Sequence, residues 1–361
     1  MKKDFRSFVE ELKSDFSYEK PALIVLGNEA ADLDSMASAL TYAWYLKLTS
    51  PGENVFPLMN IPRNDFKLRT EAVFLFSEAG VDPETLLYLE DVDLKKLAAR
   101  ENLKLVLVDH NKIAAGQSDL NQTVGEILDH HADEKSYPET ARADIRPVGS
   151  TATLVGERFL DHAREALDKS LSTLLLGTIL LDTVNLDPAA ERVTPEDNAV
   201  AGHLMELTGL KQQPLFEKLQ FEKFNVSALE SYDLLRKDYK EWIMGGVKCG
   251  IGSVLMSAED WLKKDPLILE AFESYRKERG LNVLLAMGAY TDPDFRRNLV
   301  VYVPDAALRQ TVLDFLEASD LALELMPTEH DEKSGLLFYS QGNLGISRKK
   351  LQPLLARLFS A

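Results

Sequence analysis

Acids and imidazoles recur in this 361-residue chain directly behind short apolar runs. Asp32 and Asp34 follow the run at 22–26, Asp109-His110 the run at 103–108, and Asp129-His130-His131 the run at 124–128. One aspartate behind a strand is ordinarily a helix cap, a role open to Asp34 ahead of Ser35, because a short carboxylate accepts from the N–H groups of a first helical turn. Three successive strand ends that all deliver acids, two of them with histidines, go beyond capping. Carboxylates gathered within a few ångströms raise one another's pKa unless cations neutralise them. Oxygen ligands joined by imidazole nitrogens, with no thiolate, suit Mn2+, Mg2+ or Co2+. A pair of such ions activates water near neutral pH and stabilises charge on attacking and leaving oxygens, as hydrolysis of a phosphoanhydride requires.

Such residues converge only if the runs are parallel strands whose carboxyl ends share an edge, where ligands of open α/β sheets collect. The runs at 22–26, 55–59, 103–108 and 124–128 are short and rich in Val, Ile and Leu, and helix-like segments at 35–48 and 66–79 lie between them. This alternation predicts an α/β domain with a mainly parallel sheet covered on both faces. Two consecutive helices are expected at 152–163 and 167–184. Asp187-Pro188 and Thr194-Pro195 then break the pattern, and Thr194-Pro195-Glu196-Asp197 reads as a helix start. The expected division is a first domain over 1–190, a linker over 191–215 and a second domain over 216–361. In the second, strands at 248–256, 282–290, 299–303 and 336–339 with helices at 262–277, 305–317 and 348–359 predict an α+β domain with a mixed sheet.

Composition narrows the partners. The 41 Lys and Arg against 58 Asp and Glu leave a formal charge of −17, which disfavours nucleic-acid duplexes and anionic membranes. A polyanionic substrate therefore needs local basic residues or bound cations. The single cysteine, Cys249, forms no intrachain disulfide and suits a reducing, cytoplasmic setting. The first twenty residues mix charges with apolar side chains and carry no uninterrupted apolar core, unlike a secretory signal. The longest apolar stretch, 174–186, is interrupted by Asp182 and is too short to span a bilayer.

As a set the motifs resemble those of the DHH phosphoesterases: Asn28 with Asp32-Leu33-Asp34-Ser35, Asp109-His110-Asn111, Asp129-His130-His131 and Leu181-Asp182-Thr183, in the family's order. Gly27-Asn28-Glu29-Ala30-Ala31-Asp32 and Asn60-Ile61-Pro62-Arg63-Asn64-Asp65 are similar to signatures of the exopolyphosphatase and prune branch, and residues 235–240 and 347–350 resemble its DHHA2 domain. The resemblance implies two divalent cations, one held by Asp32 and Asp109 and the other by Asp34, Asp109, His130 and Asp182. It places His131 toward the substrate or leaving oxygen and Asp129 behind the histidines as their orienting partner. Related pyrophosphatases carry a histidine ligand where this chain has Asn28, so Asn28 is expected in the first cation's shell as a weaker ligand. The implied activity is release of terminal phosphate from linear, short-chain polyphosphate. Inorganic pyrophosphatase and nucleotide phosphohydrolase or phosphodiesterase activity are the alternatives, with a prune-like interaction protein as one of another class. That last reading expects an added tail or a damaged metal motif, whereas this chain keeps the motif and ends at Ala361, just after its last predicted helix.

Basic residues gain meaning against the acidic background. Arg348 and Lys349 open the last predicted helix, where free N–H groups already favour an anion and cations work against the helix. That conflict, with the resemblance, assigns them to substrate phosphate, and the resemblance adds Lys240. Arg63 and Arg69 flank a turn on the same sheet edge as the acids; either a forked grip on phosphate or a salt bridge to the surplus acids suits them. Ser150 is expected to cap the following helix. His162, His203 and His330 fall outside any motif and read as surface or packing residues, and His110 lies beside the site without ligating.

Overall fold

The computed structural model describes residues 4–137, 142–327 and 334–360. They divide into two compact units, one up to Lys223 and one from Phe224. His330 lies outside the described residues.

The first unit is built on five parallel strands, β1 (Ala22–Leu26), β2 (Val55–Leu58), β3 (Leu103–Val108), β4 (Val124–Asp129) and β5 (Arg142–Ile145), in the order β2-β1-β3-β4-β5. Strands β1 and β3 are apolar but for Lys104 because both faces are covered, and the covering helices show why. Helix α2 (Leu33–Thr49) buries every residue from Leu33 to Leu46, and α6 (Lys169–Asp182) every residue from Leu171 to Leu181. A helix apolar all round belongs in a core, and these two pack on each other. Around them sit α1 (Phe5–Asp15), α3 (Thr70–Glu78), α4 (Leu94–Ala99), α5 (Thr151–His162), α7 (Pro195–Thr208) and α8 (Gln212–Phe224). From β1 the chain passes to β2 on one side and then to β3 on the other. The carboxyl ends of β1 and β3 therefore flank the point where strand order reverses, the natural crevice of such a sheet.

The second unit holds α9 (Ser231–Lys237), β6 (Tyr239–Met244), β7 (Val247–Val254), α10 (Ala258–Lys264), α11 (Ile268–Arg279), β8 (Val283–Thr291), β9 (Phe295–Tyr302), α12 (Ala306–Glu317), β10 (Leu323–Leu325), β11 (Leu336–Gln341) and α13 (Arg348–Ser360). Its sheet runs β10-β11-β9-β8-β7-β6; only β7 and β8 pair in parallel, and α10 with α11 supply the crossover that a parallel pair demands. Cys249 is wholly buried in its core, where burial pushes the thiol pKa up to about 12.

The α/β class and both sheets match the sequence expectation, while several boundaries differ for physical reasons. Strand β5 is polar and lies at a sheet edge, and β10 has three residues, so neither carries an apolar run. The helix expected over 262–277 is two helices, because Asp265 precedes Pro266 and is held extended. The stretch expected as a linker holds α7, whose Val200, Ala201 and Leu204 lie in the first unit's core. At Gly156 of α5 an added methyl group would collide with Val200, so α7 packs backbone-close on α5. Among the described residues no helix is long and apolar enough to cross a membrane.

Candidate metal centre

Asp32 ends the loop after β1 as the N-cap of α2, its Oδ1 accepting from Ser35 N at 3.1 Å. The cap is thus Asp32 rather than Asp34. Asp34, one helical residue further, turns inward and is 3% exposed. Its Oδ2 accepts from Thr151 N at 2.7 Å, and its Oδ1 from Ala152 N and Ser38 Oγ, both at 2.9 Å. Asp34 therefore sits against the N-terminus of α5, whose unpaired N–H groups and dipole favour a carboxylate.

Asp109 follows β3 with a left-handed backbone, φ 61°, and is 2% exposed. A non-glycine residue in that region carries strain of the kind that marks working sites. His130 Nε2 lies 3.3 Å from Asp109 Oδ1 and 3.7 Å from Asp34 Oδ2. The opposite ring nitrogen of His130 donates to the Val148 carbonyl at 3.0 Å, which turns Nε2 toward the acids. His131 Nδ1 bonds Asp129 Oδ1 at 2.8 Å and lies 3.7 Å from Asp109 Oδ1. Ligand atoms of Asp109, His130 and His131 all fall within 4.8 Å of one another. Asp182, at the end of α6, completes the acids, and its Oδ2 is buried without a hydrogen-bond partner.

Two neighbouring aspartates differ sharply in electrostatics. Burial works to raise the pKa of Asp129, but hydrogen bonds from His131, Asn111 and the His131 backbone outweigh it and hold the group below its usual range. Asp129 is an anchor for both histidines. Asp109 is raised to about 10, by burial first and then by the charges of Asp34 and Asp32. Asp182 is raised well above its ordinary value by burial and by the same two neighbours, against a hydrogen bond from Ser150. An acidic cluster of this kind, with an orphaned carboxylate oxygen and oxygen and imidazole donors only, fits divalent cations.

Asp32, Asp34, Asp109, His130, His131 and Asp182 line one pocket of about 510 Å3, together with residues 147–149 and 191–194. Asn28 adjoins it differently than expected. Its Oδ1 accepts from Ala31 N at 3.0 Å, and its Nδ2 donates to Asp109 Oδ2 at 2.8 Å and to Asp109 O at 3.2 Å. The amide holds Asp109 in place and offers its nitrogen, not its oxygen, to the site. His110 turns its Nδ1 to the Val108 carbonyl at 2.9 Å, outside the pocket lining, and burial lowers its pKa.

The arginines expected to hold phosphate are engaged elsewhere. Arg63 pairs with Asp91 at 2.5 Å and Glu84 at 3.5 Å, with its guanidinium 4.4 Å from the Tyr88 ring centre, so the surplus acids claim it. Arg69 donates to the carbonyls of Ala30 and Ala31 at 2.6 to 3.3 Å and fastens the loop that carries Asp32. In the second unit, Arg348 grips the Asp238 carbonyl and carboxylate, each at 2.6 Å, whereas Lys240 and Lys349 are exposed and make no ion pair among the described residues. Sequence reading passed over the backbone donors of Thr151 and Ala152 as holders of Asp34. It also saw Asp197 only as part of a helix start. The Ser150 cap in Gly149-Ser150-Thr151 was the one local sign that this segment forms a helix entrance.

Residues 22–179 match the family model described as DHH family, N-terminal domain, and residues 217–358 match the DHHA2 domain. The chain is 36% identical over 360 residues to exopolyphosphatase PRUNE1 of Rattus norvegicus, covering 98% of this chain and 79% of the relative. It is equally 36% identical over 360 residues to exopolyphosphatase PRUNE1 of Homo sapiens, with the same coverage. To the manganese-dependent inorganic pyrophosphatase of Methanothrix thermoacetophila it is 25% identical over 293 residues, covering 80% of this chain and 87% of the relative.

Proposed function

The chain belongs to the DHH family and carries a DHHA2 domain, and from that premise we propose that it is an exopolyphosphatase that releases terminal phosphate from linear, short-chain polyphosphate with the help of two divalent cations. It is a hydrolase, and relatives named for exopolyphosphatase and manganese-dependent pyrophosphatase activity support phosphoanhydride hydrolysis as its chemistry. The carrying observation is the unpartnered, buried Asp182 Oδ2 in a pocket shared with Asp32, Asp34 and Asp109. A buried carboxylate oxygen left without a donor is costly, and a cation is the partner that removes the cost.

Asp32 and Asp109 would hold one cation, and Asp34, Asp109, His130 and Asp182 the other. Bound there, the cations supply a water activated near neutral pH and neutralise charge on the phosphoryl oxygens. The chain's own groups orient and protonate. Asp129 fixes His131 through Nδ1, which leaves the other ring nitrogen for the leaving oxygen. The same hydrogen bond raises the imidazole's pKa and favours the proton-bearing form that a leaving oxygen needs. Lys240, Arg348 and Lys349 of the DHHA2 unit would hold phosphates beyond the bond that breaks, and a cytoplasmic setting suits the lone buried thiol.

Phosphate release from pyrophosphate, tripolyphosphate and longer chains, each with Mg2+, Mn2+ and Co2+, tests the assignment. Tripolyphosphate is expected to turn over faster than pyrophosphate. The reverse order would overturn it in favour of a pyrophosphatase, the reading to which the archaeal relative points. Absence of metal-dependent release from any of them would leave the nucleotide-hydrolase and interaction-protein readings.

A further inference from the structure

Asp197 lies outside the matched DHH span of 22–179, on the first turn of α7, and is wholly buried. As the third helical residue it completes a capping box with Thr194, accepting from Thr194 N at 2.7 Å and Thr194 Oγ1 at 2.8 Å. A capping box is satisfied at the surface by those local bonds alone. Here the carboxylate also reaches 48 residues upstream to Gly149 N, at 2.9 and 3.1 Å, and 44 residues upstream to Thr153 Oγ1 at 2.5 Å. Four donors surround a buried anion, and no cation pairs with it among the described residues.

The segment it grips is the one that holds the candidate ligands. The Val148 carbonyl accepts from His130, Thr151 N and Ala152 N bond Asp34, and the Ser150 side chain works to lower the Asp182 pKa. Thr151 Oγ1 lies 3.3 Å from Asp109 Oδ1. Gly149 has no room to drift: a methyl group on its Cα would overlap the Thr183 side chain, reach 2.7 Å from Arg192 O and 2.8 Å from Asp197 Oδ2. Residues 147–149 and 191–194 are the two walls of the pocket that the family motifs do not supply, and Asp197 is bonded to both. We infer that Asp197 is a positioning residue for the metal centre, which sets cation affinity by locking the 148–153 segment against Asp34, His130 and Asp182. The inference rests on the proposed cation site and names a residue outside its ligand set.

Asp197→Asn keeps the shape and turns one acceptor into a donor that faces N–H groups. The probe is Mn2+ alone, with free and bound ion separated by electron paramagnetic resonance in the full-length chain. Asp197→Asn is expected to weaken binding about ten-fold or more, the range for removing an outer partner of metal ligands. At saturating Mn2+ its KM for tripolyphosphate should stay within about two-fold of wild type. Thr153→Val, which removes one donor, should weaken Mn2+ binding by a smaller factor, and Thr153→Ser, which keeps the hydroxyl, should restore it. The Thr153 pair decides the matter if Asp197→Asn does not fold. Wild-type affinity for Mn2+ in folded Asp197→Asn, or in Thr153→Val, overturns the inference while leaving the proposed function intact. A wild-type chain that leaves Mn2+ free ends both.

Discussion

The two units hold the charges proposed for function under opposite conditions. In the first, Asp34 and Asp109 are nearly sealed from solvent and Asp182 keeps a buried oxygen without a partner, while Arg69 is spent on backbone carbonyls. In the second, Lys240 and Lys349 stand in water, and Arg348 is already tied to Asp238. A buried carboxyl group is costly to ionise, so without donors around it the group keeps a proton or takes a cation. An exposed charge costs almost nothing and demands no ligand. The acids of the first unit therefore point to cations from geometry, whereas the substrate role proposed for the cations of the second rests on the start of the last helix and on family membership.

The largest expected effect breaks the sealed side of this contrast. Asp109→Ala should reduce metal-dependent phosphate release by at least about 1,000-fold, since it removes the carboxylate shared between both proposed cations. Retention of more than a tenth of the wild-type rate would place the chemistry elsewhere.

A second effect reads the buried charges without turnover. Asp109 has its folded-state pKa raised from 3.8 to about 10, so the metal-free native state binds more protons than the unfolded chain between those values. Stability of the metal-free protein should therefore be greatest in acid relative to this group and fall as pH rises across that window. Mn2+ should cancel the fall, and at 100 times its Kd it adds about 2.7 kcal/mol. Denaturant midpoints of the first unit with and without Mn2+, from pH 5 to 9, measure both. A midpoint that does not decline with pH in the absence of metal would mean that these acids are not coupled as described.

The exposed side yields a smaller and different change. Lys240→Ala and Lys349→Ala should each raise KM for tripolyphosphate by roughly ten-fold, the loss of one charged contact, while Mn2+ affinity stays at the wild-type value. Unchanged KM in both variants would remove these lysines from the substrate site. The smallest effect is reserved for Arg63→Ala, whose ion pairs with Asp91 and Glu84 leave it no phosphate role. Its KM should remain within about two-fold of wild type, with a lowered melting temperature from the lost packing on Tyr88. A ten-fold rise in KM would return Arg63 to the site.

Much of the first unit was legible because its signals are local. Runs such as Leu105-Val106-Leu107-Val108 are strands wherever they pack, and an acid at the strand's end stays there. The polar edge strand β5 and the break between α10 and α11 were harder to read, since an edge needs no apolar run and one Asp-Pro pair interrupts an otherwise helical pattern. Arg63 and Arg69 illustrate a different limit. Their spacing admits either phosphate or ion pairing, and only the positions of Asp91 and the Ala30 and Ala31 carbonyls decide between them.

The amino-acid sequence by itself determined the chemical character of the site: acids and imidazoles at strand ends, without thiolates, in an acidic chain whose strands must be parallel. Tertiary structure alone decided how those groups are held. Asp34 is bound by N–H groups 117 and 118 residues away, Asn28 turns its amide nitrogen to Asp109 across 81 residues, and Asp197 fastens a wall 48 residues upstream. Hydrogen bonds of that span depend on the relative placement of packed helices and strand ends, which no local spacing of residues encodes.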